Sequence, residues 1–169
     1  YSIERCVMMK KLQIWADGGC RNNGKPNALG GWGWVAVAVE IDKEIAFNYG
    51  SSPHLVTNNQ NEIMSITNAL QRIVNIKDDF EFEVCMDSAY VVNAFRDDWV
   101  SGWKKNGWKN SKKEPVKNKE LWIDLIKEVE RFGDRLTFSK TKGHSGIKWN
   151  ERADELANKA MDEKESRWY

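Results

Sequence analysis

Two stretches of this chain, KLQIWAD (11–17) and FEFEVCMD (80–87), alternate apolar and polar residues with a period of two, and each ends on an aspartate. In the first, Leu12, Ile14 and Ala16 stand against Gln13, Trp15 and Asp17; in the second, Phe80, Phe82, Val84 and Met86 share one face. Period-two alternation is the signature of a strand with one face turned to a core. Between them, GWGWVAVAVEI and KEIAFNYGSS read as two further strands joined by a tight turn near Asp42-Lys43, and RLTFSKTK (135–142) as a fifth. The first three strands form an antiparallel meander, because only short turns and one Gly/Asn-rich loop connect them.

The segments between the later strands carry helical signals. Thr57-Asn58-Asn59-Gln60 fits a capping box, starting a helix that runs to about Val74. Ile63, Ile66, Ala69, Leu70, Ile73 and Val74 fall on one arc of it, and Glu62 lies inside that arc. Ser88 is an N-cap for the next helix; another runs from about Lys119 to Phe132, and a last from about Trp149 to Met161. The order β-β-β-α-β-α-α-α-β-α predicts an α/β fold, a mixed five-stranded sheet with helices on both faces. Ligands in such folds sit beyond the carboxyl ends of parallel strands, where Asp17 and Asp87 are expected.

At 169 residues the chain suits one domain, here 9–169, with residues 1–8 before Met9 a detachable extension. No apolar run approaches the roughly 20 residues that span a bilayer, and YSIERCVMMKK lacks the apolar core of a signal peptide. Cys6, Cys20 and Cys85 show no metal-binding spacing, and their odd number argues against a disulfide framework. These features predict a cytoplasmic protein with reduced thiols. The net charge is only +1, yet from Trp99 to Lys119 seven lysines accompany a single glutamate. Such local asymmetry suggests a polyanionic partner.

Asp17, Glu62, Asp87 and Asp154 each stand at a strand end or within or beside an apolar helix arc, where an unpaired charge is costly. Gathered together they make an anionic pocket that cations must neutralise. Oxygen ligands on rigid elements suit Mg²⁺ and two-metal phosphodiester hydrolysis.

The local contexts DGGCRNNG around Asp17, TNNQNE ending at Glu62, MDSAYV around Asp87 and KGHSGIKWNERADELA carrying His144 and Asp154 occur in this order. Over residues of about 10 to 162 the chain resembles the type I ribonuclease H family, of the cellular kind with a basic protrusion, or handle. The resemblance implies an endoribonuclease that hydrolyses the RNA strand of RNA–DNA hybrids, leaving 5′-phosphate and 3′-hydroxyl ends. It implies that Asp17, Glu62, Asp87 and Asp154 ligate two Mg²⁺ ions, with Mn²⁺ a possible substitute and Asp17 bridging both. His144 would move a proton or help product leave. Cys20, Asn23, Thr57, Asn58 and Asn59 would contact the hybrid backbone. The handle, about 99–119, interleaves Trp99, Trp103 and Trp108 with Lys104, Lys105, Lys109 and Lys117, among other lysines. These would grip a hybrid duplex without help from a fused polymerase, in a monomer with no membrane partner. Ala89 stands where many relatives carry a longer polar residue, and Asp97-Asp98 adds acidity before the handle.

Each residue has a plainer reading. Asp17 or Asp87 alone is a turn residue, Glu62 a helix carboxylate paired with lysine, Asp154 part of a solvated face with Glu151 and Glu155, and His144 a surface histidine. The tryptophans of the handle can equally pack it onto the body, and its lysines can form a solvated face. Two rival functions also stand: a silent hybrid-binding module, and a DNA-cutting relative such as a junction resolvase or integrase core. All four carboxylates argue against the first, and the handle and the His144 segment against the second.

Overall fold

The computed structural model describes residues 10–76, 80–141 and 147–166. Five strands, β1 (Lys10–Arg21), β2 (Leu29–Ala38), β3 (Lys43–Gly50), β4 (Phe80–Met86) and β5 (Leu136–Lys140), form one sheet in the order β3-β2-β1-β4-β5. β1, β2 and β3 pair antiparallel, whereas β1–β4 and β4–β5 are parallel. The expected meander and mixed sheet are therefore both present. Five helices accompany it: α1 (Asn58–Ile73), α2 (Ala89–Arg96), α3 (Trp99–Lys105), α4 (Lys119–Phe132) and α5 (Lys148–Ser166).

The even-numbered residues of β1, Leu12, Ile14 and Ala16, join Trp34, Phe82, Val84 and Met86 in the larger core, together with the apolar arcs of α1, α2 and α4. On the opposite face Trp15, Val35, Val37 and Cys85 pack against Ala153 and Leu156 of α5. Both faces of β2 are thereby covered, which is why this strand reads as a nearly continuous apolar run. The helix starts follow their sequence signals. Thr57 and Gln60 make both bonds of the capping box, and Ser88 caps α2 by accepting from the Tyr90 N–H at 3.2 Å.

Several boundaries differ from expectation. β1 does not stop at Asp17 but continues to Arg21, with Gly18, Gly19 and Cys20 pairing to Trp32, Gly31 and Gly30. Glycines weaken a strand signal, yet here Gly18 and Gly31 mark close approach of the α1 and α5 backbones to the sheet. The β2–β3 connection, expected as a tight turn near Asp42-Lys43, is a single 3₁₀ turn, Val39–Ile41, ending on left-handed Asp42. β5 is shorter at both ends than 135–142, and α5 extends to Ser166.

Candidate active site

Asp17 is the focus. It lies inside β1, two residues beyond Trp15, whose pairing with Cys85 is the last rung between β1 and β4. Asp17 is thus at the end of the parallel pairing, not at the end of its strand. It shares strand parity with Trp15, so its side chain is on the α5 side of the sheet, where Asp154 arrives from the second turn of α5. Asp87 follows β4 directly. Glu62 comes from the opposite face, on α1.

The electrostatics are those of crowded, like-charged groups. The Asp17 carboxyl is pushed up from 3.8 to about 8, first by burial and then by the charge of Asp87 and by a hydrogen bond and charge from Asp154; the Gly18 N–H, donating at 2.9 Å, opposes this only partly. Burial also raises Glu62, with a further push from Asp87, while the Ser88 hydroxyl, donating to Glu62 Oε2 at 2.6 Å, pulls the other way. No ion pair between any of these four carboxylates and a lysine or arginine occurs among the described residues. An uncompensated set of this kind is what a bound cation would relieve.

No three acidic, thiol or imidazole groups among the described residues converge as a ready-made metal cage. Mg²⁺ does not need one, because it keeps several waters and binds through one or two carboxylates plus substrate phosphate. The donor set, all hard oxygen and crowded enough to push the Asp17 carboxyl up to about 8, therefore fits hydrated divalent ions. In the sequence Ser88 reads only as a helix cap. Its bond to Glu62 makes it the link that holds this carboxylate beside Asp87, and only the three-dimensional crossing of α1 with the end of β4 reveals it.

The other candidates divide. Cys20 is half-buried, its thiol donating to the Val56 carbonyl just before the α1 cap residue Thr57. Asn58 and Asn59 occupy the first turn of α1 and are exposed, as is Asn23 in the β1–β2 loop. Fully buried Asn61 fixes the entry to this helix by donating to the carbonyls of Leu55 and Thr57, both at 2.9 Å. A groove of about 680 Å³ separates the first turn of α1 from the handle, lined by Asn59, Tyr90, Trp99, Lys109, Lys117 and Asn118 among others. Trp103 forms part of its wall but is only 9% exposed, packed edge-on to Trp122 at 5.0 Å, so its ring belongs mainly to the core. Trp108 packs between Trp103 and the Lys119 ammonium. Lys104 turns away to pair with Glu130 on α4, and Lys105 is exposed outside the groove. His144 lies outside the described residues, as do residues 1–8.

A mixed sheet of this order, with carboxylates from β1, β4, α1 and α5 at one end, is the ribonuclease H fold. The model of the family described as RNase H matches residues 9–162. The ribonuclease H of Clostridium botulinum (strain Hall) is 43% identical over 155 residues, 92% of this chain and 98% of that protein. That of Syntrophomonas wolfei is 42% identical over 153 residues, 90% and 97% respectively. Among solved structures, LC9-RNase H1, described as a type 1 RNase H with the type 2 active-site motif, superposes with a TM-score of 0.76 at 26% identity, covering 92% of this chain and 74% of that one. The chain belongs to the RNase H family and is an enzyme of that class.

Proposed function

We propose that this enzyme hydrolyses the RNA strand of RNA–DNA hybrids with two divalent cations, Mg²⁺ or Mn²⁺, leaving 5′-phosphate and 3′-hydroxyl ends. The observation that carries the reading is the half-buried Asp17 carboxyl held against Asp87 and Asp154 without a described cationic side chain to neutralise it. The cations, when bound, supply activation of the attacking water and compensation of charge on the departing oxygen. Asp17, Asp87, Asp154 and Glu62 would hold them, with Asp17, which faces two of the others, common to both. Ser88 keeps Glu62 turned toward Asp87. His144, five residues before Trp149 in sequence, serves as proton carrier or as an aid to product release.

Substrate selection follows from duplex shape and 2′-hydroxyls. Asn58 and Asn59 present amide donors and, with the Thr57 cap, a helix N-terminus to one strand, with Cys20 bonded to the Val56 carbonyl beneath them and Asn23 contributing from the β1–β2 loop. The groove lined by Trp99, Lys109 and Lys117 takes the other strand, its lysines neutralising phosphates and Trp99, 40% exposed, packing on sugars. The working unit is a monomeric, cytoplasmic single domain over 9–169. Asp17→Asn tests the reading: the variant should fold and bind hybrid while losing cleavage in Mg²⁺ and Mn²⁺. Cleavage at the wild-type rate in a metal titration would refute it.

A further inference from the structure

Two glycines face the site from opposite sides of the sheet, and each is pressed against the helix backbone that carries a carboxylate. A Cβ on Gly18 would lie 2.3 Å from the Asn61 carbonyl carbon and 2.4 Å from the Glu62 nitrogen. A Cβ on Gly33 would lie 2.5 Å from Leu156 Cβ, 2.8 Å from the Ala157 nitrogen and 3.0 Å from the Ala153 oxygen, the residue before Asp154. Gly33 is the direct β2 partner of Asp17, and Gly18 is its neighbour in β1. Most of the opposing atoms are backbone, so no rotamer change can make room.

We infer that Gly18 and Gly33 are positioning residues that set how near Glu62 and Asp154 come to Asp17, and hence the spacing at which the carboxylates hold metal. This rests on the proposed metal site. On the α1 side, bare backbone at Gly18 lets the helix sit down on β1 at the residue that must reach around the sheet to Asp87. On the α5 side, Gly33 does the same for the turn bearing Asp154. A methyl group at either position drives the helix outward until the contact relaxes to ordinary van der Waals distance, a displacement of roughly 1 Å for contacts that relax to the usual 3.5 Å or so. Misplacement of that size at a reacting centre costs on the order of 100-fold in rate. Alanine keeps the N–H and the strand pairing, so only the spacing is tested.

The experiment compares Gly18→Ala and Gly33→Ala with Gly50→Ala, whose methyl would strike the Trp32 ring at 2.6 Å, away from both helix backbones. Mg²⁺ binding is measured by calorimetry on each folded protein without substrate, and hybrid cleavage is resolved into kcat and KM. Expected are Mg²⁺ affinities at least about tenfold weaker and kcat about 100-fold lower for the first two, with KM for hybrid nearly unchanged. Gly50→Ala should lose thermal stability while keeping Mg²⁺ affinity and kcat. Folded Gly18→Ala and Gly33→Ala that bind Mg²⁺ like wild type would overturn the inference, as would equal losses in Gly50→Ala. If one variant does not fold at ambient temperature, the other decides, and measurement in the cold with sucrose as a stabilising osmolyte covers the weaker one. Asp17→Asn, run alongside, separates the two levels. If it binds Mg²⁺ like wild type, the metal site itself falls; if it loses the metal while the glycine variants keep it, only the spacing role falls.

Discussion

Replacing Asp17 by asparagine should make the metal-free protein more stable, although the residue is the centre of the site. The folded chain holds this carboxyl at about 8, against an ordinary 3.8. Below the ordinary value the group is protonated in both folded and unfolded chains and contributes nothing. As pH rises above it, the unfolded chain ionises and the folded one resists, so stability falls, and the loss is complete only above the folded value near 8. One pKa unit corresponds to about 1.4 kcal/mol, so at pH 7 the full difference amounts to roughly 4 kcal/mol. Hydration of the partly open site and local relaxation reduce this, and about 2 kcal/mol is the working figure for an effective dielectric well above that of a dry interior. For a chain of this length that is a gain of roughly 4–8 °C in Tm. Thermal melts in EDTA at pH 7 and pH 4 provide the assay, with the gain present at the first and nearly gone at the second. Added Mg²⁺ should then raise the Tm of wild type and leave the asparagine variant where it was. An asparagine variant that is no more stable at pH 7, or whose advantage does not depend on pH, would refute the reasoning.

Four further outcomes are expected. Ser88→Ala removes both the α2 cap and the bond to Glu62; it should cost about 1 kcal/mol in urea melts and lower kcat while hybrid KM stays put. Lys109→Ala with Lys117→Ala should raise KM and reduce the slope of log affinity against log salt by about 2, whereas Lys104→Ala, paired with Glu130 away from the groove, should change KM little. Trp103→Ala should cost about 3–5 kcal/mol in chemical denaturation, because its ring is core and not merely groove wall. His144→Ala should slow turnover without abolishing it, and an undiminished rate would make the imidazole a bystander.

Much of the fold could be read from local pattern. The alternation in 11–17 and 80–87, the Thr57–Gln60 capping box and the Ser88 cap all correspond to real elements, because each is a signal carried within a few residues. What could not be read depends on packing between distant segments. The strand running through Gly18 and Gly19 is hidden because glycine has no strand propensity; Gly18 is there because the backbone of α1 lies against it, and Gly19 faces the Met161 side chain of α5. The separate fates of the handle lysines were equally invisible, since only the approach of α4 takes Lys104 to Glu130 while Lys109 and Lys117 line the groove. For the site, the motifs singled out the four carboxylates, and the structure puts Asp17 beside Asp87 and Asp154, and Glu62 beside Asp87. The Ser88–Glu62 bond and the close glycine contacts join residues far apart in sequence, and no local pattern encodes them.

The activity proposed for this enzyme is metal-dependent cutting directed at RNA paired with DNA. The measurement that tests it most directly uses one labelled strand in four duplexes, RNA–DNA, RNA–RNA, DNA–DNA and a DNA duplex with a single ribonucleotide, each with Mg²⁺ or with EDTA. Cleavage confined to the RNA of the hybrid, present in Mg²⁺ and absent in EDTA, is the predicted result. Tight hybrid binding with no cleavage in either Mg²⁺ or Mn²⁺, or cleavage of the all-DNA duplex, would contradict it.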